Sequence, residues 1–112
     1  MNDRIKKHLE DIVTIDEIES FFDLFPKKYD EFTSNVLLRR GIERNIEIIG
    51  EAMNRILKAD ENIVITNSRK IVDTRNYVIH AYDSLTDDIL WSIVVNHLPA
   101  LKSEVNELLQ TN

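Results

Sequence analysis

Residues 31–58, EFTSNVLLRRGIERNIEIIGEAMNRILK, decide the architecture. Val36, Leu38, Ile42, Ile46, Ile49, Met53, Ile56 and Leu57 recur through them at three- and four-residue steps, about 100° per residue, and charged side chains fill the opposite side. No proline interrupts the run, so the spacing predicts a single amphipathic helix, the longest in the chain. Asp30 or Thr33 offers a side-chain oxygen to cap its start. Both glycines of the protein, Gly41 and Gly50, fall inside this helix, where each costs about 1 kcal/mol relative to alanine. Two explanations stand: tolerated slack, or a point at which a neighbouring helix or a second subunit comes close. Asn45 lies in the apolar arc and needs a hydrogen-bond partner there.

Upstream, Ile5, Leu9, Ile12, Val13, Ile15, Ile18, Phe22 and Phe25 carry the same period over about 3–25, predicting a first helix that Pro26 closes. Downstream, Asp60-Glu61-Asn62 and the β-branched Ile63-Val64-Ile65 break the period, which predicts a loop or short extended passage. A third helix is expected from Thr66–Ser68 to His80 or Tyr82. The Thr86-Asp87-Asp88 cluster suits the start of a fourth helix containing Trp91, with acids where the helix dipole favours them. Pro99 suits the first turn of a last helix, about 99–110, with Leu101, Val105, Leu108 and Leu109 inward. The expected fold is all-α, an antiparallel bundle of about five helices forming a single domain over residues 1–112.

Composition agrees with that outline. Gly and Pro contribute four of 112 residues, so turns are scarce. The absence of Cys excludes disulfide frameworks, Cys-ligated zinc and thiol catalysis, and suits a reducing cytoplasm. No apolar run approaches a membrane span, so a soluble intracellular protein is expected. The net charge of −6 argues against broad charge-driven binding to nucleic acid. That charge is uneven, however: residues 35–82 hold eight Lys or Arg against six acids, and the flanks hold six against fourteen.

Chemistry concentrates on the third helix. At helical spacing Arg69, Asp73, Asn76 and His80 fall within about 60° of one another, opposite Ile71, Val72, Val78 and Ile79. Arg75 interrupts the apolar side, where a guanidinium needs a carboxylate, an interface or a bound anion. Arg75 and His80 point about 140° apart, so they meet one ligand either from the two flanks of the arc between them, over Asn76, or by facing two copies of the helix across a twofold axis. These residue types suit metal-independent RNA cleavage: histidine exchanges protons near neutrality, and arginine presents a planar fork to phosphate oxygens.

The string Arg75-Asn76-Tyr77-Val78-Ile79-His80-Ala81-Tyr82 resembles the R-x4-H-x-Y signature of the HepT-like branch of HEPN domains. Ile48-Ile49-Gly50-Glu51-Ala52 is similar to that family's IIGEA segment, Leu9-Glu10-Asp11-Ile12 to its first-helix pattern, and the Trp91 region and Leu98-Pro99-Ala100-Leu101-Lys102 follow in order. The resemblance implies a small helical homodimer, the ribonuclease toxin of a toxin–antitoxin pair, acting on tRNA or mRNA without a cofactor. It implies as partner a minimal nucleotidyltransferase antitoxin that silences the toxin by attaching AMP to the motif tyrosine. Carried over, Arg75 would stabilise the scissile phosphate and His80 would handle protons. Asn76, with Asp73 and Arg69 on the same stripe, would support the site, and Tyr82 would accept adenylate. A different class also fits: a non-catalytic helical subunit that binds or positions substrate for a nucleotidyltransferase. A plain helical interaction module is a third option.

The remaining features read as structure. Glu51 either pairs with Arg55 on the surface, at four-residue spacing, or turns toward Arg75 and offsets its burial. His8 and His97 read as surface or packing residues, and no metal site is expected. Trp91 is expected in the core. Phe21, Phe22 and Phe25 crowd the end of the first helix, where surplus apolar surface suits a dimer or partner contact.

Overall fold

The computed structural model describes residues 3–80 and 87–110, apart from the side chains of Tyr77, Ile79 and His80. Every regular element among the described residues is helical: α1 (Asp3–Ile12), α2 (Ile15–Leu24), α3 (Tyr29–Ser34), α4 (Val36–Ala59), α5 (Ser68–His80), α6 (Asp87–Ser92), a π turn (Ile93–His97) and α7 (Leu98–Gln110). Because α6, the π turn and α7 run on without a break, these make five helical runs of ten residues or more, plus the short α3.

Three boundaries differ from expectation, each for a local reason. The first helix is split at Val13-Thr14, where Val13 N–H and Thr14 N–H donate to Glu10 and Asp11 carbonyls three residues back. Ile12, Val13, Thr14 and Ile15 are β-branched in succession, the residue type least suited to a helix interior. The long helix begins at Val36 and is capped by neither Asp30 nor Thr33: Asn35 is its cap, its side-chain oxygen accepting from Leu38 N–H at 3.1 Å. Val36 consequently leaves the buried stripe and is 63% exposed. Pro99 does lie in the first turn of α7, yet the chain ahead of it never leaves helical conformation. The π turn, with Leu98 N–H donating to the Ile93 carbonyl five residues back, is a wider turn just ahead of a residue that would otherwise crowd the carbonyl of Val95.

α4 is the central helix, with α1, α2, α3 and α5 packed on it, while α7 lies on α1 and α6 on α3. Its stripe of Leu38, Ile42, Ile46, Ile49, Met53 and Ile56 meets Leu9 and Ile12 of α1, Ile71 and Val72 of α5, and Leu101 and Val105 of α7 in one continuous core. Half-buried Trp91 packs against that core, stacked on Phe32 at 5.4 Å and edge-on to Phe22 at 5.9 Å. Asn45 is 2% exposed inside the α4 stripe, and its side-chain amide donates to the Gly41 carbonyl at 2.9 Å. Between α4 and α5 the chain turns through Asn67 at φ 59, a left-handed conformation that asparagine tolerates better than most residues. Ion pairs tie the periphery: Arg39 to Asp87 at 2.6 Å, and Lys102 to both Asp16 and Glu19 at 2.8 Å. No helix among the described residues is long and apolar enough to cross a membrane.

Candidate active site

The site grows from the point where α5 crosses α4. A Cβ added at Gly50 would lie 2.2 Å from the Arg75 Cβ and 3.2 Å from the Ile71 carbonyl oxygen, so only glycine lets the helices meet this closely. Of the two explanations for Gly50, close approach of a neighbouring helix is the one the packing realises. The Arg75 stem lies flat on α4, as its place on the apolar side of α5 requires, and its guanidinium emerges beside Glu51.

There it is braced. Arg75 Nη2 pairs with Glu51 Oε2 at 2.7 Å, and Nη1 donates to Asn76 Oδ1 at 2.6 Å. Its Nε is buried without a hydrogen-bond partner among the described residues. Glu51 is shared: Oε1 accepts from Arg55 Nε at 2.9 Å, so both readings of Glu51 hold at once. The Arg55 hydrogen bond, aided by the positive charges of Arg75, Arg55 and Lys58, outweighs partial burial and holds the Glu51 carboxyl below its ordinary range. Two guanidiniums facing one carboxylate leave the cluster net positive. With its side chain 25% exposed, Arg75 keeps N–H groups beyond those used by Glu51 and Asn76, which gives it the capacity to meet an oxyanion.

Not every residue singled out from the sequence gathers here. Asn76 does, as a ligand to Arg75. Arg69 and Asp73 are exposed on the side of α5 turned away from α4 and bond to neither Arg75 nor Asn76. His80 is the last described residue of α5, five residues beyond Arg75, and its side chain lies outside the described residues, as Tyr82 does entirely. No group of three His, Asp or Glu suited to a metal occurs among the described residues.

Periodicity alone did not single out His8. An open cleft of about 430 Å³ lies between α1, α4 and α5, and His8, Lys7 and Asp11 form its α1 wall, facing Glu51, Arg55 and Arg75. The signal was available: Arg4, Lys7, His8 and Asp11 are spaced 0, 3, 4 and 7, one polar face of α1 adjoining the buried Ile5, Leu9 and Ile12. Only the contact between α1 and α4 shows that this face borders Arg75.

The described residues thus present an all-helical bundle with a braced arginine on a charged cleft, five residues ahead of a histidine in the chain. The chain belongs to the ribonuclease HepT-like family, whose pattern matches residues 12–108, and its fold is the HEPN-like helical bundle of that family. Ribonuclease is accordingly its enzyme class. It is 37% identical over 79 residues to "Putative RNase MJ1380" of Methanocaldococcus jannaschii, covering 69% of this chain and 72% of that protein. It is 30% identical over 83 residues to "Putative RNase TTE0752" of Caldanaerobacter subterraneus subsp. tengcongensis, covering 73% and 74%. "Putative RNase MJ0125" of M. jannaschii aligns over 95% of this chain and 91% of its own length at 27% identity. No solved structure gives a significant match.

Proposed function

We propose that this protein is the metal-independent endoribonuclease of a cytoplasmic toxin–antitoxin pair, with Arg75 and His80 as its catalytic residues. The observation that supports this most is the bracing of Arg75: a guanidinium fixed by Gly50 beneath and Glu51 beside it, with N–H groups to spare at an open cleft. In the reaction the ribose 2′-hydroxyl loses its proton to a base and its oxygen attacks the adjacent phosphorus. The bond to the 5′-oxygen then breaks as that oxygen takes up a proton, leaving a 2′,3′-cyclic phosphate and a 5′-hydroxyl. Arg75 neutralises the charge that builds on the phosphoryl oxygens, and His80 exchanges the protons. The 140° between the two directions on α5 favours a homodimer in which two copies of the helix share one substrate. Asn76 orients Arg75; Asp73 and Arg69 line the outer approach along α5.

The proposed partner is a minimal nucleotidyltransferase. The Tyr82 oxygen would attack the α-phosphorus of ATP, expelling pyrophosphate and leaving adenylate two residues from His80, where its bulk and negative charge oppose an incoming RNA phosphate. Cleavage of tRNA and mRNA by purified protein free of adenylate is the deciding assay. Arg75→Ala and His80→Ala are each expected to lower the rate by about 10²–10⁴-fold while the protein stays folded. Intact RNA with the wild type would favour an accessory subunit of the nucleotidyltransferase. Intact mass after co-expression reads the modification, which Tyr82→Phe is expected to abolish.

A further inference from the structure

The 430 Å³ cleft beside Arg75 does not end at α5. A second open cleft, of about 490 Å³, continues along α1 and α4 and shares His8 and Arg55 with the first. Together they form a trough whose walls carry Arg4, Lys7, Arg44, Arg55, Lys58 and Arg75 against three carboxylates. Two of the carboxylates are committed, Glu47 to Arg44 at 3.3 Å and Glu51 to Arg55 and Arg75, while Asp11 stands 3.9 Å from the His8 Nδ1, beyond hydrogen-bond reach. Lys7 and Lys58 form no ion pair among the described residues, so the trough is locally positive on a chain whose net charge is −6.

From Arg44 to Lys58 the trough follows α4 for about 21 Å, at 1.5 Å per residue. That length is too great for one mononucleotide and suits a polymer. Two lining side chains also have unmet bonding capacity: the buried His8 Nδ1 and the buried Arg75 Nε lack hydrogen-bond partners among the described residues. Buried polar atoms left unpaired are costly, and because both are sealed from solvent a ligand meets them only if their side chains shift on binding.

We propose that this trough is a track for the phosphodiester backbone of single-stranded RNA, holding the nucleotides on either side of the bond presented to Arg75. It rests on the ribonuclease reading and adds to it where the flanking substrate lies, on a helix other than the one bearing the motif. Lys7 and Lys58 contact phosphates as mobile point charges, and Arg44 and Arg55 offer their outer N–H groups. Contacts of this kind carry little base preference, so selectivity for sequence must come from elsewhere in the complex.

The test is binding of a fluorescein-labelled 12-nucleotide RNA, 2′-O-methylated to prevent cleavage, measured by anisotropy across a salt series with the full-length chain. Lys7→Gln/Lys58→Gln is expected to weaken binding about tenfold or more, and to flatten the salt dependence by about 0.7 for each lost phosphate contact. Lys6→Gln/Lys28→Gln, which removes the same charge from exposed positions outside the trough, is expected to change affinity less than twofold. An equal loss in both pairs, an unchanged affinity in the first pair, or no binding by the wild type overturns the proposal. So does preference for a polyglutamate peptide over RNA. Cleavage of unmethylated RNA is scored separately: bound but uncut RNA rejects the catalytic reading and keeps the track, and cut RNA with groove-independent binding does the reverse.

Discussion

α4 uses glycine twice, nine residues apart, with different neighbours. At Gly41 an added Cβ would lie 2.9 Å from the far edge of the Phe21 ring; at Gly50 it would lie 2.2 Å from the Arg75 Cβ. The first neighbour is the tip of a side chain that can swing, on a helix joined to α4 by apolar packing. The second is the root of a side chain, fixed to the backbone of α5, and a charged cluster depends on where it sits. The same local concession thus improves a contact in one place and sets the position of a guanidinium in the other. A gap of 0.7 Å separates a crossing that can adjust from one that must move a whole helix.

Gly50→Ala carries the largest expected effect. Two saturated carbons need about 3.5–4 Å, so α5 must retreat by more than 1 Å. Overpacking, net of the gain in helix propensity, should cost about 2–3 kcal/mol, lowering Tm by about 8–12 °C in a thermal melt. On the role proposed for Arg75, cleavage should fall further than stability explains, because Arg75 moves with the helix. Acid should act next, and at this crossing alone. The Glu51 carboxyl is held below its ordinary 4.5 chiefly by the Arg55 hydrogen bond, so its contribution is present in full above about pH 4.5 and is lost as pH falls through the depressed value. Glu51→Gln should therefore cost about 1 kcal/mol at pH 7, a figure kept small by the pair's partial exposure, and the gap to wild type should close in acid. Gly41→Ala should do least. The ring shift and the helix gain of about 1 kcal/mol nearly offset each other, leaving stability within about 0.5 kcal/mol of wild type at either pH. A large loss at Gly41, or none at Gly50, would erase the distinction between the two crossings.

Much of the fold was legible because α4 announces itself: its apolar stripe has one period throughout, and seven of the eight stripe positions are buried or half-buried as the spacing requires. By the same spacing Arg75 falls on the apolar side of α5, which is why it must cross α4, and Glu51 stands in the sequence as one of its candidate counterions. What stayed hidden came from local competition and from tertiary contact. Val13-Thr14 continues the hydrophobic period through a break in the helix, because the break answers to β-branching and not to the pattern of burial. Asn35 captured the start of α4 from Asp30 and Thr33 through one side-chain bond. The α1 wall of the cleft was invisible for a different reason: a polar face on a short helix looks solvated until its neighbour is known, and His8 gains meaning only from lying opposite Glu51 and Arg75.

The π turn ahead of Pro99 has a consequence for how the chain tolerates changes of length. A deletion inside α4 would rotate everything beyond it by about 100°, turning buried isoleucines into solvent and acids into the core. Residues 93–97 are different, since their turn already contains one residue more than an α-helical turn needs. Removing Asn96, which is exposed, together with Pro99→Ala, should leave a straight helix with Leu101 and Val105 still facing inward. Removing Asn96 alone should fail, because the proline ring would then meet an ordinary helical carbonyl. The extra residue and the proline form a matched insertion, and this stretch is the joint at which the bundle can accept a change in chain length without losing the phase of its core.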